Sequence, residues 1–344
     1  AALAMALWLG GRQVLSGGIT TGELVLFLLY LGMLSWPMVA LGWVVNLFQR
    51  GAASMGRVSR VLDAEPRVRD AEDAVTPDVV RGEVELRAVT FRYPGTEREV
   101  LRDVSFRIPA GATAAIVGPT GSGKSTVVSL LTRLYDPTGG EVLLDGIPVR
   151  RWTLRRLREA VALVPQDTFL FSDTIAENLA LGLEDGGDGE ARLRRIRAAA
   201  SVAQLHETVE EFPGGYETVL GERGINLSGG QKQRAALARA VARDAPVLVL
   251  DDALSAVDTH TEHGILEGLK GVFAGRTSII VSHRVTAVMN ADLILVLDDG
   301  RLVEQGTHAA LLRAGGVYAA LQHRQLLAEH LAGDDLLAGA GGGV

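Results

Sequence analysis

Gly118-Pro119-Thr120-Gly121-Ser122-Gly123-Lys124-Ser125-Thr126 is the stretch from which the rest of the chain can be read. Its spacing is that of a phosphate-binding loop, G-x-x-x-x-G-K-[ST]. Residues 113–117, Thr-Ala-Ala-Ile-Val, precede it as a short buried strand, and residues 126–135 follow as a helix. That strand–loop–helix order is the context the motif requires. Backbone N–H groups left unpaired at a helix N-terminus, together with the helix dipole, favour an anionic phosphate there. Gly121 and Gly123 allow the backbone to wrap closely without a Cβ. Lys124 is placed to reach the β- and γ-phosphates, and the Ser125 hydroxyl to ligate Mg²⁺. The chain has three lysines in all, so a chance match is remote. The expected ligand is a nucleotide, with Mg²⁺ beside its phosphates.

The composition narrows the setting. The 344 residues allow one to three domains, and a hydrophobic share of 47% is high for a chain with this much charge. A net charge of −7 argues against nucleic acid as a partner, because a phosphate-neutralising surface is normally basic. With no cysteine there is no disulfide, no thiol nucleophile and no cysteine-ligated zinc. The seven histidines show no metal-ligand spacing. The excess of arginine over lysine, with abundant Ala, Gly, Leu and Val, reads as GC-rich bacterial coding bias.

Most of the excess hydrophobicity lies in the first fifty residues. Residues 1–9 read as the end of a membrane helix whose start is missing, so the sequence is expected to be a fragment of a longer one. Residues 10–23 read as a glycine-rich polar turn. Residues 24–48 then run about 25 positions without a charge, roughly 37 Å as a helix, enough to span a bilayer. Pro37 is tolerable in such a helix and could kink it. Arg50, Arg57 and Arg60 follow the span, so by the positive-inside rule what comes after is cytoplasmic. The expected division is 1–50 membrane segment, 51–82 helical extension and linker, 83–325 nucleotide-binding domain, and 326–344 a disordered Gly/Ala-rich tail.

Beyond the linker, residues 84–86, 89–93 and 100–108 alternate as strands, and Gly139-Gly140 followed by 141–144 and Asp145-Gly146 reads as a hairpin. Residues 191–209 read as helix. Two apolar runs stand out, 247–250 before Asp251 and 277–282 before His283. Continuous β-branched runs suit strands buried on both faces of a parallel sheet, and ligands bind at the carboxyl ends of such strands. The phosphate loop, Asp251 and His283 each follow one, so they are expected to converge.

Leu227-Ser228-Gly229-Gly230-Gln231-Lys232-Gln233-Arg234 makes the family resemblance specific. It resembles the signature of ATP-binding cassette (ABC) proteins and stands between the phosphate loop and Asp251, as in that family. Residues 1 to about 325 resemble the C-terminal part of an ABC exporter half-transporter. The resemblance implies an α/β phosphate-loop cassette with a mixed sheet core, an antiparallel β subdomain and a helical signature subdomain, preceded by transmembrane helices. It implies that Tyr93 stacks on adenine. Gln166 would contact Mg²⁺ and the attacking water, Asp251 would support Mg²⁺, and His283 would sit at the γ-phosphate. Gly221-Glu222-Arg223-Gly224 resembles an exporter-type loop, and Ser255-Ala256-Val257-Asp258 the loop that links two nucleotide sites. Ser228, Gly229, Gly230 and Gln231 would contact ATP held by a second half-transporter, at the start of a helix running from about Gln231 to Val241. ATP-driven closure of two cassettes would then alternate access across a bacterial inner membrane, with the cassette on the cytoplasmic side.

One position departs from the pattern. Hydrolytic cassettes generally carry Glu after the Asp251 position, and this chain has Asp252, shorter by a methylene, roughly 1.5 Å. A misplacement near 1 Å can cost about a hundredfold in rate. The chain's own site is therefore expected to be slow, with its signature completing a faster site on a heterodimeric partner. The alternatives are a regulatory subunit that mainly binds ATP and gates its partner, and a cassette ATPase unconnected with transport. The substrate is not readable, because fold analogy does not select one.

Overall fold

A computed structural model describes residues 2–183, 189–224, 226–285 and 288–327. The chain divides into two compact units, Ala1–Pro66 and Arg67–Val344.

The first unit is a helical hairpin, α1 (Ala2–Leu15) and α2 (Thr21–Leu62). The glycine-rich turn expected over 10–23 is shorter than that, because α1 continues to Leu15. Gly10 and Gly11 lie within the helix, and Gly10 serves packing. A Cβ on Gly10 would lie 2.3 Å from Leu24 Cδ1, so its absence lets the two helices close. The start of α2 is fixed by a capping box: Glu23 N–H donates to Thr20 Oγ1 at 3.3 Å, and Thr20 N–H donates to the Glu23 carboxylate at 2.7 Å. At 42 residues α2 is about 63 Å long, twice a hydrocarbon core. It runs through Pro37, carries no buried residue, and among the described residues is the one helix long and apolar enough to cross a membrane.

The second unit is built on two sheets. An antiparallel sheet has the order β2-β1-β4-β5, from β1 (Val84–Arg92), β2 (Glu99–Ile108), β4 (Gly139–Leu144) and β5 (Ile147–Pro148). The two strand stretches expected at 84–93 are one strand, with Ala88 at φ +48 and a register shift between Leu86 and Val89. The larger sheet has the order β10-β9-β3-β8-β7-β6. It contains β3 (Thr113–Val117), β6 (Val161–Val164), β7 (Val247–Asp251), β8 (Thr277–Val281), β9 (Leu293–Asp298) and β10 (Arg301–Gly306). All neighbours in it are parallel except the β9–β10 hairpin.

The helices of this unit are α3 (Lys124–Leu131), α4 (Leu154–Ala160), α5 (Ile175–Ala180), α6 (Gly189–Val202), α7 (His206–Glu210), α8 (Gly229–Arg243), α9 (Thr259–Phe273) and α10 (His308–Ala314). The helix read over 191–209 is broken at Gln204, φ +53, into α6 and α7. Two apolar cores flank the large sheet. Ala115, Val117, Leu248 and Leu250 point into one, with α6 and α8, while Ala114, Ile116, Val247 and Val249 point into the other, with α3 and the antiparallel sheet. The continuous apolar runs are thus a consequence of burial on both faces.

The linker is a strap held to the cassette. Val75 pairs with the chain around Trp152 (Val75 N–H to Arg151 O, 2.6 Å; Thr153 N–H to Val75 O, 3.0 Å). Asp70 accepts from Leu154 N–H, and Asp145 accepts from the N–H groups of Arg81, Gly82 and Glu83. Arg133, just beyond α3 and 3% exposed, donates to Arg69 O and Trp152 O and pairs with Asp136.

Candidate nucleotide-binding site

The phosphate loop leaves β3 at Val117 and enters α3 at Lys124, with Gly123 as N-cap at φ +100. The helix therefore starts at the lysine, two residues before the start expected from sequence, and ends at Leu131, well before Tyr135. Gly118 is the tightest point. At φ +150 its Cβ would lie 2.0 Å from Leu297 O, so the loop can pass β9 only as glycine. Gly123 similarly lies against Leu101, whereas Gly121 has positive φ and open space around it.

Lys124 Nζ donates to Gly118 O at 2.9 Å and Pro119 O at 2.8 Å, so the ammonium is folded back over its own loop. Burial lowers its pKa, opposed by Asp252 and Asp251 nearby. Ser122 Oγ is buried without a hydrogen-bond partner, an orphan polar atom within the loop. The Ser125 hydroxyl donates to Asp251 Oδ1 at 3.1 Å. Asp251, 6% exposed, has its pKa raised by burial, an effect the Ser125 bond and Lys124 oppose and Asp252 reinforces.

The sheet order brings these groups together. Strands β3, β8 and β7 are neighbours, so the residues at their carboxyl ends meet. A cleft of about 240 Å³ is lined by Thr120, Gly121, Gly123, Lys124, Ser125, Thr126, Gln166, Asp251, Asp252 and His283. Val100, Val281 and Ser282 also line it and carry no motif that would have marked them in the sequence. Asp252 adopts the left-handed conformation (φ +49), and its N–H donates to Val281 O on β8. This turn aims its carboxylate at His283, with Asp252 Oδ1 and His283 Nδ1 3.0 Å apart.

Gly118, Pro119, Ser122 and Tyr93 shape the surroundings rather than line this cleft. The Tyr93 hydroxyl lies 3.1 Å from Thr126 Oγ1, and its ring packs edge-on against Phe91 and Tyr135 at 4.9 and 5.3 Å.

The signature residues line another cleft, of about 380 Å³, formed by Ser228, Gly229, Gly230, Gln231, Arg234, Ala256, Val257 and Asp258. The expected start of the helix at Gln231 is corrected: α8 begins at Gly229 because Ser228 caps it. Ser228 Oγ accepts from Gln231 N–H, and Gln231 Oε1 accepts from Ser228 N–H at 2.8 Å, a reciprocal capping box. Asp258 caps α9 by accepting from Thr261 N–H at 2.9 Å, which holds its carboxyl below the usual range. Glu222–Gly224 form a short 3-10 turn, while Ile225 beside them and the tail from 328 lie outside the described residues.

Residues 101–255 match the ABC transporter family model. This segment is an ABC transporter domain. It is 42% identical, over 95% of its length, to the ATP-dependent lipid A-core flippase of Aromatoleum aromaticum, covering 53% of that protein. It is 41% identical, over 92% of its length, to the multidrug resistance-like ATP-binding protein MdlA of Escherichia coli, again covering 53%. Among solved structures, a bacterial Atm1-family ABC exporter with ATP bound matches with a TM-score of 0.75 and 42% identity, over 90% of this chain and 53% of that one. The chain spans about half the length of the relatives it matches.

Proposed function

We propose that this chain is the ATP-binding and ATP-hydrolysing part of an ABC exporter half-transporter, working with a second half-transporter in a bacterial inner membrane. The observation that carries this reading is the cleft in which Lys124, Ser125, Gln166, Asp251, Asp252 and His283 meet. An orphan hydroxyl, a half-buried cation and helix N–H groups suit a polyphosphate. The hydroxyl, carboxylate and amide oxygens of Ser125, Asp251 and Gln166 are the hard donors that Mg²⁺ favours. When bound, Mg²⁺ would neutralise charge on the phosphates during transfer. Gln166 and the Asp252–His283 pair are the groups placed to orient a water, and Lys124 is the cation for the phosphates.

The signature cleft is separate from the phosphate-loop cleft in the same chain, which supports a role for Ser228–Gln231 toward ATP held by a second chain. The α2 helix, apolar and unburied, supports multi-pass membrane placement. Substrates named for relatives, lipid and drug, define the class of cargo, a small molecule, lipid or peptide. The purely gating reading is not favoured, because Gln166 and His283 line the same cleft as Lys124, Ser125, Asp251 and Asp252.

With the shorter Asp252 carboxylate, this chain's site turns over slowly and its signature completes a faster site on the partner. The test is photo-capture of radiolabelled ATP on this chain in the membrane-reconstituted protein, followed to ADP in a single turnover. Labelling that survives Lys124→Ala sinks the binding reading. An Asp252→Glu variant with an unchanged rate sinks the slow-site reading.

A further inference from the structure

The segment between Asp252 and Asp258 touches both clefts, and one buried side chain on α8 grips it. Gln233, 5% exposed, donates from Nε2 to Ser255 Oγ at 2.9 Å and accepts at Oε1 from Ala256 N–H at 2.9 Å. The orientation of its amide follows from chemistry: a backbone N–H can only donate, so Oε1 must face Ala256, and the NH₂ is left for Ser255. The Ser255 hydroxyl, receiving that bond, has its own proton free and gives it to Asp252 O at 3.0 Å. From the other side Arg284, next to His283, donates to Ser255 O at 3.4 Å and pairs with buried Glu262. The fit at the signature end is close, since a Cβ on Gly230 would come 2.9 Å from Ala256 O.

We infer that Gln233 is a positioning residue: through the directed chain Gln233 NH₂ to Ser255 OH to Asp252 C=O it ties the signature helix to the backbone that aims Asp252 at His283. The inference rests on the function proposed above. A displacement of α8 by a ligand at its N-terminus would move this chain's own Asp252 carboxylate, because each link is a single hydrogen bond between buried or half-buried groups. The sequence shows Gln233 only as one of two glutamines flanking Lys232; its partners, 22 and 23 positions away, become visible in the fold.

The test uses Gln233→Glu, which keeps the shape and the acceptor for Ala256 N–H but has no proton for Ser255. The Ser255 hydroxyl must then turn to the new carboxylate and release Asp252 O. Ser255→Ala removes the same last link without touching α8. Photo-capture of radiolabelled ATP on this chain reads binding, and its single-turnover conversion to ADP reads chemistry. The expected result is a roughly tenfold slower conversion in each variant with capture within about twofold of the parent, as for a small misplacement of a reacting group. The double variant should lose no more than the worse single one, because both break one chain. Conversion at the parent rate in Ser255→Ala, or losses that multiply in the double variant, overturns the inference. A Gln233→Glu protein that loses capture, conversion and melting temperature together while Ser255→Ala converts normally also overturns it, leaving Gln233 a packing residue. Lys124→Ala in parallel separates the two levels: if it still captures ATP the proposed function fails, whereas if it is blank and the Gln233 and Ser255 variants are normal only the relay fails.

Discussion

The two clefts of the cassette differ in what they can do. The phosphate-loop cleft holds a cation, two adjacent carboxylates, an amide and an imidazole, and burial lowers the pKa of Lys124 and raises that of Asp251. The signature cleft is lined by a capped helix N-terminus with two glycines, by Ala256 and Val257, and by the charged residues Arg234 and Asp258. Such a surface can hold an anion, and its one carboxylate, Asp258, is engaged in capping α9. One cleft is equipped for chemistry and the other for recognition. On the function proposed above, a chain with both in separate places would need a second chain for its full work.

The largest test of that contrast is Lys124→Ala. Losing a charge-assisted donor to phosphate is expected to weaken ATP capture on this chain about a hundredfold, measured by photo-labelling or filter binding. Next comes Asp252→Glu, which restores the missing methylene. Single-turnover hydrolysis on this chain should rise at least about tenfold with capture unchanged. A rate that stays flat would mean that the turn at φ +49 already delivers the Asp252 carboxylate.

Gly230→Ala addresses the other cleft. The new methyl meets Ala256 O, so signature-dependent turnover of the assembled protein should fall several-fold, while ATP capture on this chain stays normal. A parallel fall in capture would show that the clefts are not separable. Arg133→Met examines the strap instead of either cleft. Leaving Arg69 O and Trp152 O without their buried donor should cost about 2–3 kcal/mol, read by denaturant unfolding of the cassette. It should also open the 67–81 segment to trypsin.

The smallest effect is a titration in the helical layer. Tyr216, buried with its hydroxyl 2.9 Å from His206 Nδ1, has its pKa pushed up by burial to about 12. The unfolded phenol ionises near 10, so between about pH 10 and 12 the unfolded state has lost a proton that the native state keeps. Stability from this group is complete below pH 10 and is lost as pH rises through 12. Tyr216→Phe should flatten that alkaline limb and remove a late phenolate component from the absorbance titration.

Much of the fold was legible because its signals are local. The motif at 118–126 and the apolar runs before Asp251 and His283 each state their own structure, and the expected convergence at the strand ends follows from parallel order. The errors were also local in cause. Gly10 and Gly11 looked like a turn because glycine breaks a lone helix, but both are helical here and Gly10 lets α1 and α2 close. Gln231 looked like the first residue of α8, but with Ser228 as its cap that helix starts two residues earlier, at Gly229. The strap over 67–81 looked like a tether because Pro and mixed charge mark loops. Its order comes from Arg133, Asp145 and Trp152, which no local pattern connects to it.

By itself, then, the sequence determined the phosphate loop, the signature, the apolar α2 helix and the substitution at Asp252, because residue identity and short spacing fix those properties. Only the tertiary structure decided that Ser125 meets Asp251, that Asp252 turns to His283, that the signature opens into a different cleft, and that Gln233 reaches Ser255. Those pairs lie 126, 31 and 22 positions apart for Ser125–Asp251, Asp252–His283 and Gln233–Ser255. Contacts at such separations depend on strand order and helix docking, which are settled by burying both faces of one sheet and by no single stretch of the chain.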